Sequence, residues 1–215
     1  MMLTNRDKAI IKDLNKFRVM DRDSIAELHF SNLKNPQLAA NNVLLRLFRD
    51  GQIQRSVSFF PYVYFGPEVQ IKKNSQKISH FLAILDVYKE LRKLGSLESF
   101  LVEPKYGNKS EYAEPDIYCF FRKTPFFIEV QRTIYSEKQM NDKLDRYAEL
   151  FKSDILADKN TRLIILSEQR YPLDDNNYPF KIFQAESFTK FIGSLKGSTV
   201  IPEIKQQSIK RVVNS

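Results

Sequence analysis

Asp116 and Glu129 are the side chains of this sequence whose type and setting first suggest chemistry. Asp116 heads an apolar run at 117–121, and Glu129 lies near the end of a second run at 126–130. A carboxylate among β-branched and aromatic residues is costly unless a partner compensates it, and a hard divalent cation is one such partner. Gln131 follows two residues after Glu129 and shares its face of an extended strand, where its amide can orient a water or its carbonyl can act as a ligand. Asp116 and Glu129 are thus the candidate metal ligands and, with Gln131, the candidate catalytic group. Oxygen donors of this kind could hold Mg2+, which would lower the pKa of a bound water. Lys143 and Tyr147, four apart, lie on one face of a downstream helix, where Lys143 can contact a phosphate. The plainer alternative is a surface hairpin with incidental acids.

Composition narrows the classes. The single cysteine, Cys119, excludes an intramolecular disulfide and a cysteine-rich zinc site, and the two histidines, His29 and His80, stand too far apart in sequence to suggest a histidine cage. No stretch approaches the roughly 18 apolar residues of a membrane span, and no signal-peptide core is present, so the expectation is a cytoplasmic protein without a membrane partner. The net charge is +8 and the isoelectric point about 9.4, which favours a polyanionic partner. Residues 1–66 carry ten basic and six acidic side chains, a net of +4, and residues 196–215 carry four and one, a net of +3. The charge therefore gathers at the two ends.

The elements that must position the two acids can be read from periodicity. Residues 117–121 and 126–130 form a hairpin across a turn at 122–125. A helix over 75–94 and a short strand at 100–103 precede it. A helix capped by Ser136 and running to 151 follows, then a strand at 162–166, a strand at 180–183 and a helix at 185–195. Ahead of a linker at 66–74, Thr4 caps a first helix with Asp7 as its capping-box partner, a second helix spans 23–29, and Pro36 opens a third that ends at Gly51. Two strands, 52–59 and 62–65, complete this unit. Gln37, Asn41, Asn42, Arg46 and Arg49 are available for a polar face of the third helix, and Arg55, Ser56 and Ser58 for phosphate contacts.

Three compact helices followed by a two-stranded hairpin, with Leu44, Leu47, Phe48, Gly51 and Ile53 at the junction, resemble a winged helix-turn-helix. That resemblance implies duplex DNA as the partner of residues 1–66, read by Gln37, Asn41, Asn42, Arg46, Arg49 and Arg55. From residue 75 the order helix, three strands, helix, strand, with Glu114-Pro115-Asp116 and Glu129-Val130-Gln131 on adjacent strands, resembles the PD-(D/E)XK nuclease-like fold. Gln131 stands where that superfamily usually has lysine. The fold expectation is α+β: a winged helix-turn-helix at 1–66, an α/β nuclease-like unit with a mixed sheet at 75–195, and a basic tail at 196–215.

The chain also resembles the replication-relaxation family of plasmids and other mobile elements. The matching blocks run from His80 to Val87, from Glu114 to Asp116 and from Phe127 to Thr133, with Lys143 and Tyr147 beyond them; the family's usual Glu-Val-Asp departs to Glu-Val-Gln at Gln131. The resemblance implies a DNA-binding accessory role in plasmid replication, relaxation or mobilisation, with a relaxase or replication protein, or a second copy of the chain, as protein partners. A Mg2+-dependent endonuclease or nickase using Asp116, Glu129 and Gln131 is the first alternative, and a winged-helix transcription regulator the second.

Overall fold

The structure is a computed structural model and describes residues 2–73 and 75–197. The basic tail expected at 196–215 lies, from residue 198 on, outside the described residues. Among the described residues the chain forms six α-helices, one three-stranded sheet and one mixed five-stranded sheet, an α+β architecture.

Helix α1 spans Asn5–Phe17, and its start is the capping box expected from sequence: Thr4 Oγ1 accepts from the Asp7 amide while Asp7 accepts from the Thr4 amide. A two-residue strand β1, Met20–Asp21, follows and leads into α2, Arg22–Phe30, which Asp21 caps through the Ser24 amide. Strand β1 is too short to carry a period of its own and had no sequence signal. Helix α3, Pro36–Arg49, has Pro36 in its first turn, where a missing N–H costs nothing, and just past its Asp50 cap stands Gly51, whose φ of +69° a side chain would resist. Strands β2, Gln54–Ser56, and β3, Val63–Phe65, complete a sheet of order β1-β3-β2, in which β3 pairs with both β1 and β2.

The second unit begins with α4, Lys77–Leu94, and β4, Leu97–Val102. Then come β5, Ile117–Phe121; β6, Thr124–Val130; α5, Glu137–Lys152; β7, Arg162–Leu166; β8, Ile182–Ala185; and α6, Phe188–Gly197. The sheet order is β4-β5-β6-β7-β8, antiparallel through β6 and parallel from β6 to β8. The hairpin turn is tighter than the 122–125 read from sequence. Phe121 pairs with Thr124, so the loop is Arg122–Lys123 alone, with φ of +48° and +61°, the twist that suits a two-residue hairpin. Pro125 sits near the start of β6, where a proline costs the ladder least.

Alternation along β6 divides its side chains between two layers. Phe126, Ile128 and Val130 face α4 and α6; Phe127 and Glu129 face α5. One continuous buried cluster joins Ile10, Leu14 and Phe17 of α1, Leu44 of α3, Ile78 and Leu85 of α4, and the α4-facing side of the sheet. Phe17, Tyr88 and Phe100 meet with ring centroids 4.9–6.0 Å apart, so α1, α4 and β4 share one aromatic contact. Lys89 on α4 donates to Ser24 Oγ at 3.0 Å, and Lys93 pairs with Glu27 at 2.8 Å. The stretch read as a linker is part of this core at its start. Val69 is buried, and a Cβ on Gly66 would lie 1.8 Å from Asn15 Oδ1 of α1.

Candidate functional site

Asp116 and Glu129 meet as the sequence suggested. Ile117 pairs with Ile128 across β5 and β6, so Asp116, one residue earlier, stands opposite Glu129, one residue later. Asp116 Oδ2 accepts from the Val130 amide at 2.7 Å, which fixes the carboxyl at the mouth of the hairpin. Its Oδ1 lies 3.2 Å from Nε2 of His80, in the first turn of α4. Burial works against the Asp116 charge, but His80, Lys143 and the Val130 amide outweigh it and hold the carboxyl below its usual range. Burial likewise opposes a charged His80, and Asp116 more than offsets it, so the imidazole is held above its ordinary value.

Glu129 is fully buried on the α5 side of the sheet. Lys143 donates to its Oε2 and Tyr147 donates to its Oε1, both through short contacts. Burial pushes the Glu129 carboxyl up to about 7; the ammonium of Lys143 pulls against this, and the nearby Asp116 adds to it. Lys143 is itself opposed by burial, yet the two carboxylates keep it charged and above its usual value. The Tyr147 hydroxyl is pushed well up, first by burial and then by Glu129. Lys143, read from sequence as able to contact a phosphate, is turned inward here, with its ammonium on Glu129.

A cavity of about 220 Å3 opens beside Asp116, lined by Glu103, Lys109, Glu114, Asp116, Tyr135, Lys143 and Arg146. Glu129, beneath Lys143 in the hydrogen-bonded pair, is not among its lining residues. Glu103 and Asp116 are also tied by backbone, with the Glu103 amide on the Asp116 carbonyl at 2.9 Å. Among the described residues no three His, Cys, Asp or Glu side chains converge on a metal-sized site. The two carboxylates fit a hard cation in donor chemistry, with remaining positions left to water and substrate oxygens. In the arrangement seen, each of their oxygens already has a polar partner, and the ammonium of Lys143 supplies the compensating charge.

Gln131 is not brought to this group. Its backbone amide still donates to the Leu166 carbonyl of β7 at 2.8 Å, but its side-chain amide donates to the Thr133 carbonyl at 2.9 Å. Gln131 lines a different cavity, of about 460 Å3, beside Asp86, Glu90 and Glu168. Strand alternation alone would have kept it on the Glu129 face; its side chain is held instead by the Thr133 carbonyl in the segment that follows β6. The residue that stands beside both acids is Lys143, and its signal in the sequence was the four-residue spacing from Tyr147 on a helix following the acid-bearing strand.

The residues proposed for a groove divide as well. Gln37, Asn41, Asn42 and Arg49 are exposed along one side of α3, together with Leu38 and Leu45. Arg46 is drawn instead to the buried Asp7, 2.6 Å away, and ties α3 to the start of α1. Arg55 lies over the rings of Phe48 and Tyr62, at 4.5 and 5.0 Å from their centroids. Ser56 is buried and donates to the Lys73 carbonyl, so it is no phosphate contact. From residue 28 to 67 the only acid is Asp50, against Lys34, Arg46, Arg49 and Arg55.

No helix among the described residues is long and apolar enough to cross a membrane. No family model and no curated protein matches the chain. The solved structure of protein VC1899 from Vibrio cholerae is similar at a TM-score of 0.38 and 12% identity, over 88% of this chain and 48% of that one, so this chain spans about half of that protein's length.

Proposed function

We propose that the protein binds duplex DNA through a winged helix-like N-terminal unit and that the second unit is nuclease-like, with Asp116, Glu129 and Lys143 as a site for metal-dependent phosphodiester hydrolysis. The observation that carries this reading is the ammonium of Lys143 resting on Glu129 beside Asp116. Two acids from adjacent strands and a lysine are the three groups this chemistry needs, and here the lysine comes from α5, not from position 131. Asp116 and Glu129 would hold the cation, which supplies charge neutralisation at a phosphodiester and lowers the pKa of a water. Lys143, released from Glu129, is then in reach of a scissile phosphate at the cavity mouth. Tyr147 stays behind Glu129 and fixes its orientation.

The surface of α3 supports the DNA half of the reading. Gln37, Asn41, Asn42 and Arg49 present amides and a guanidinium on an exposed face, in a stretch with a single acid, as base-edge and phosphate contacts require. The decisive experiment incubates supercoiled plasmid with the protein and Mg2+ or Mn2+. Nicked or linear product that disappears in Asp116→Ala and Lys143→Ala establishes the enzyme; intact plasmid across both metals rejects it.

One observation favours a second reading. Both oxygens of Glu129 and of Asp116 are satisfied from within the protein, so the group also works as a closed structural lock. The protein would then be a DNA-binding accessory factor of the replication-relaxation type whose nuclease-like unit no longer cuts. Salt-sensitive DNA binding that survives Asp116→Ala, with no nicking by the wild type, is its signature.

A further inference from the structure

We propose that the turn between β2 and β3 is an apolar wedge that enters a base step of duplex DNA, with Phe60 as the inserting side chain. This rests on the reading of the N-terminal unit as a duplex-binding module and adds a mode of engagement to it. Phe60 is 95% exposed, and Val57 and Tyr62 on the same turn are 63% and 41% exposed. A phenyl ring left in water forgoes the free energy of burial, so three apolar side chains on one short turn mark a contact surface.

The turn is held out on a firm base. The Arg55 guanidinium lies over the Phe48 and Tyr62 rings, joining α3 to both strands of the hairpin. Ser56 Oγ donates to the Lys73 carbonyl at 2.9 Å and accepts from the Ser58 amide at 3.3 Å. The Arg22 amide donates to the Tyr62 carbonyl at 3.2 Å, and Gln54, Arg55 and Ser56 pair with Phe65, Tyr64 and Val63. With its root fixed in this way, the tip presents Phe60 to a partner.

Charge selects the partner. In sequence no acidic side chain lies between Asp50 and Glu68, and Arg55 sits at the root of the turn against Tyr62, so the turn itself carries no acid; the nearest acid across the sheet, Asp21 opposite Val63, is engaged in capping α2. Phosphates offer a phenyl ring nothing; the apolar surface inside a polyanionic duplex is the base stack. Phe side chains wedged between base pairs from the minor groove partly unstack and kink the helix. A second copy of this chain could bury the same ring, but the copy would bring the same basic, acid-poor surface to meet it.

The test uses the full chain in EDTA, which prevents cleavage, on relaxed closed-circular plasmid with a metal-independent topoisomerase. Wild type is expected to change the linking number in proportion to protein bound. Phe60→Ala is expected to bind with affinity reduced by no more than about tenfold, or 1.4 kcal/mol, and to leave the linking number unchanged, while Phe60→Leu restores the change. Phe60 is exposed, so neither variant disturbs the core. Wild-type binding without a topological change, or an equal change by Phe60→Ala, overturns the wedge and leaves DNA binding standing. Loss of a wild-type dimer in Phe60→Ala, seen by light scattering, assigns the ring to self-association and also overturns it. No binding by any of the three at low salt rejects both the wedge and the DNA reading beneath it.

Discussion

The ammonium of Lys143 rests on the carboxylate of Glu129, fourteen residues earlier in the chain and on the neighbouring layer of the fold. The contact follows from two periodicities. Alternation along β6 turns Glu129 toward α5, and the helical spacing of Lys143 and Tyr147 sets both donors on the α5 face that covers it. Asp116, opposite Glu129 in register, adds a second carboxylate to the same charge, and His80 closes the group from α4.

Removing the lysine should therefore expose the cost of burying Glu129. Lys143→Met is expected to lose about 3 kcal/mol of stability in urea at pH 8, because it strands a buried carboxylate. At pH 5 the loss should shrink, since Glu129 can take a proton instead. An equal loss at both pH values would show that the ammonium does not compensate Glu129.

Glu129 also sets a pH dependence of its own. Its folded pKa of about 7 is raised above the unfolded value, so the native state holds a proton that the unfolded chain has already released. Its contribution to stability is fully present below the ordinary glutamate range and is lost as pH rises to about 7. Urea melts of wild type and Glu129→Gln from pH 4 to pH 8 should show wild type losing ground to the variant across that window. Saturating Mg2+ should restore wild type selectively at the high end if the two acids hold the ion.

Asp7 should behave in the opposite sense. Burial works against its charge, but the Thr4 amide and the Arg46 guanidinium prevail and hold its carboxyl below the usual range. The stability it provides is present above the ordinary aspartate range and is lost as pH falls through its lowered folded value. Asp7→Asn is expected to cost about 1.5–3 kcal/mol at pH 7 and progressively less in acid, read by thermal or urea unfolding.

On α3, neighbouring arginines should separate by role. Arg49→Ala is expected to weaken binding to any duplex and to lower the salt slope by about one unit, as loss of one phosphate contact does. Arg46→Ala should instead lower stability, because it leaves the buried Asp7 without its cation. A titration at several salt concentrations, paired with a urea melt of each variant, distinguishes the two.

The shared core between the units predicts a single unfolding event. Phe17 is fully buried and touches the rings of Tyr88 and Phe100. Phe17→Ala should cost about 3–5 kcal/mol and move one cooperative transition seen alike by circular dichroism and tyrosine fluorescence. Two separate transitions in the wild type would show the units to be independent.

Local patterns determined the elements. The Thr4–Asp7 cap, Pro36 at the start of α3, the apolar runs of β5, β6 and β7, and the Ser136 cap of α5 each depend on neighbours within a few residues, so the sequence alone located them. That Asp116 and Glu129 lie on adjacent strands was legible for a related reason, since a short turn joins the two apolar runs; the register that sets them opposite each other was not, because the turn is Arg122–Lys123 and not 122–125. Tertiary structure decided what the side chains do. Arg46 and Ser56 look solvent-facing in sequence and are drawn to Asp7 and the Lys73 carbonyl by packing between distant segments. Gln131 leaves the acid pair because its side chain bonds the Thr133 carbonyl, and Lys143 takes the place beside Glu129 because α5 docks on that face of the sheet. Spacing fixes which residues share a face. Only the docking of one element on another fixes what that face meets.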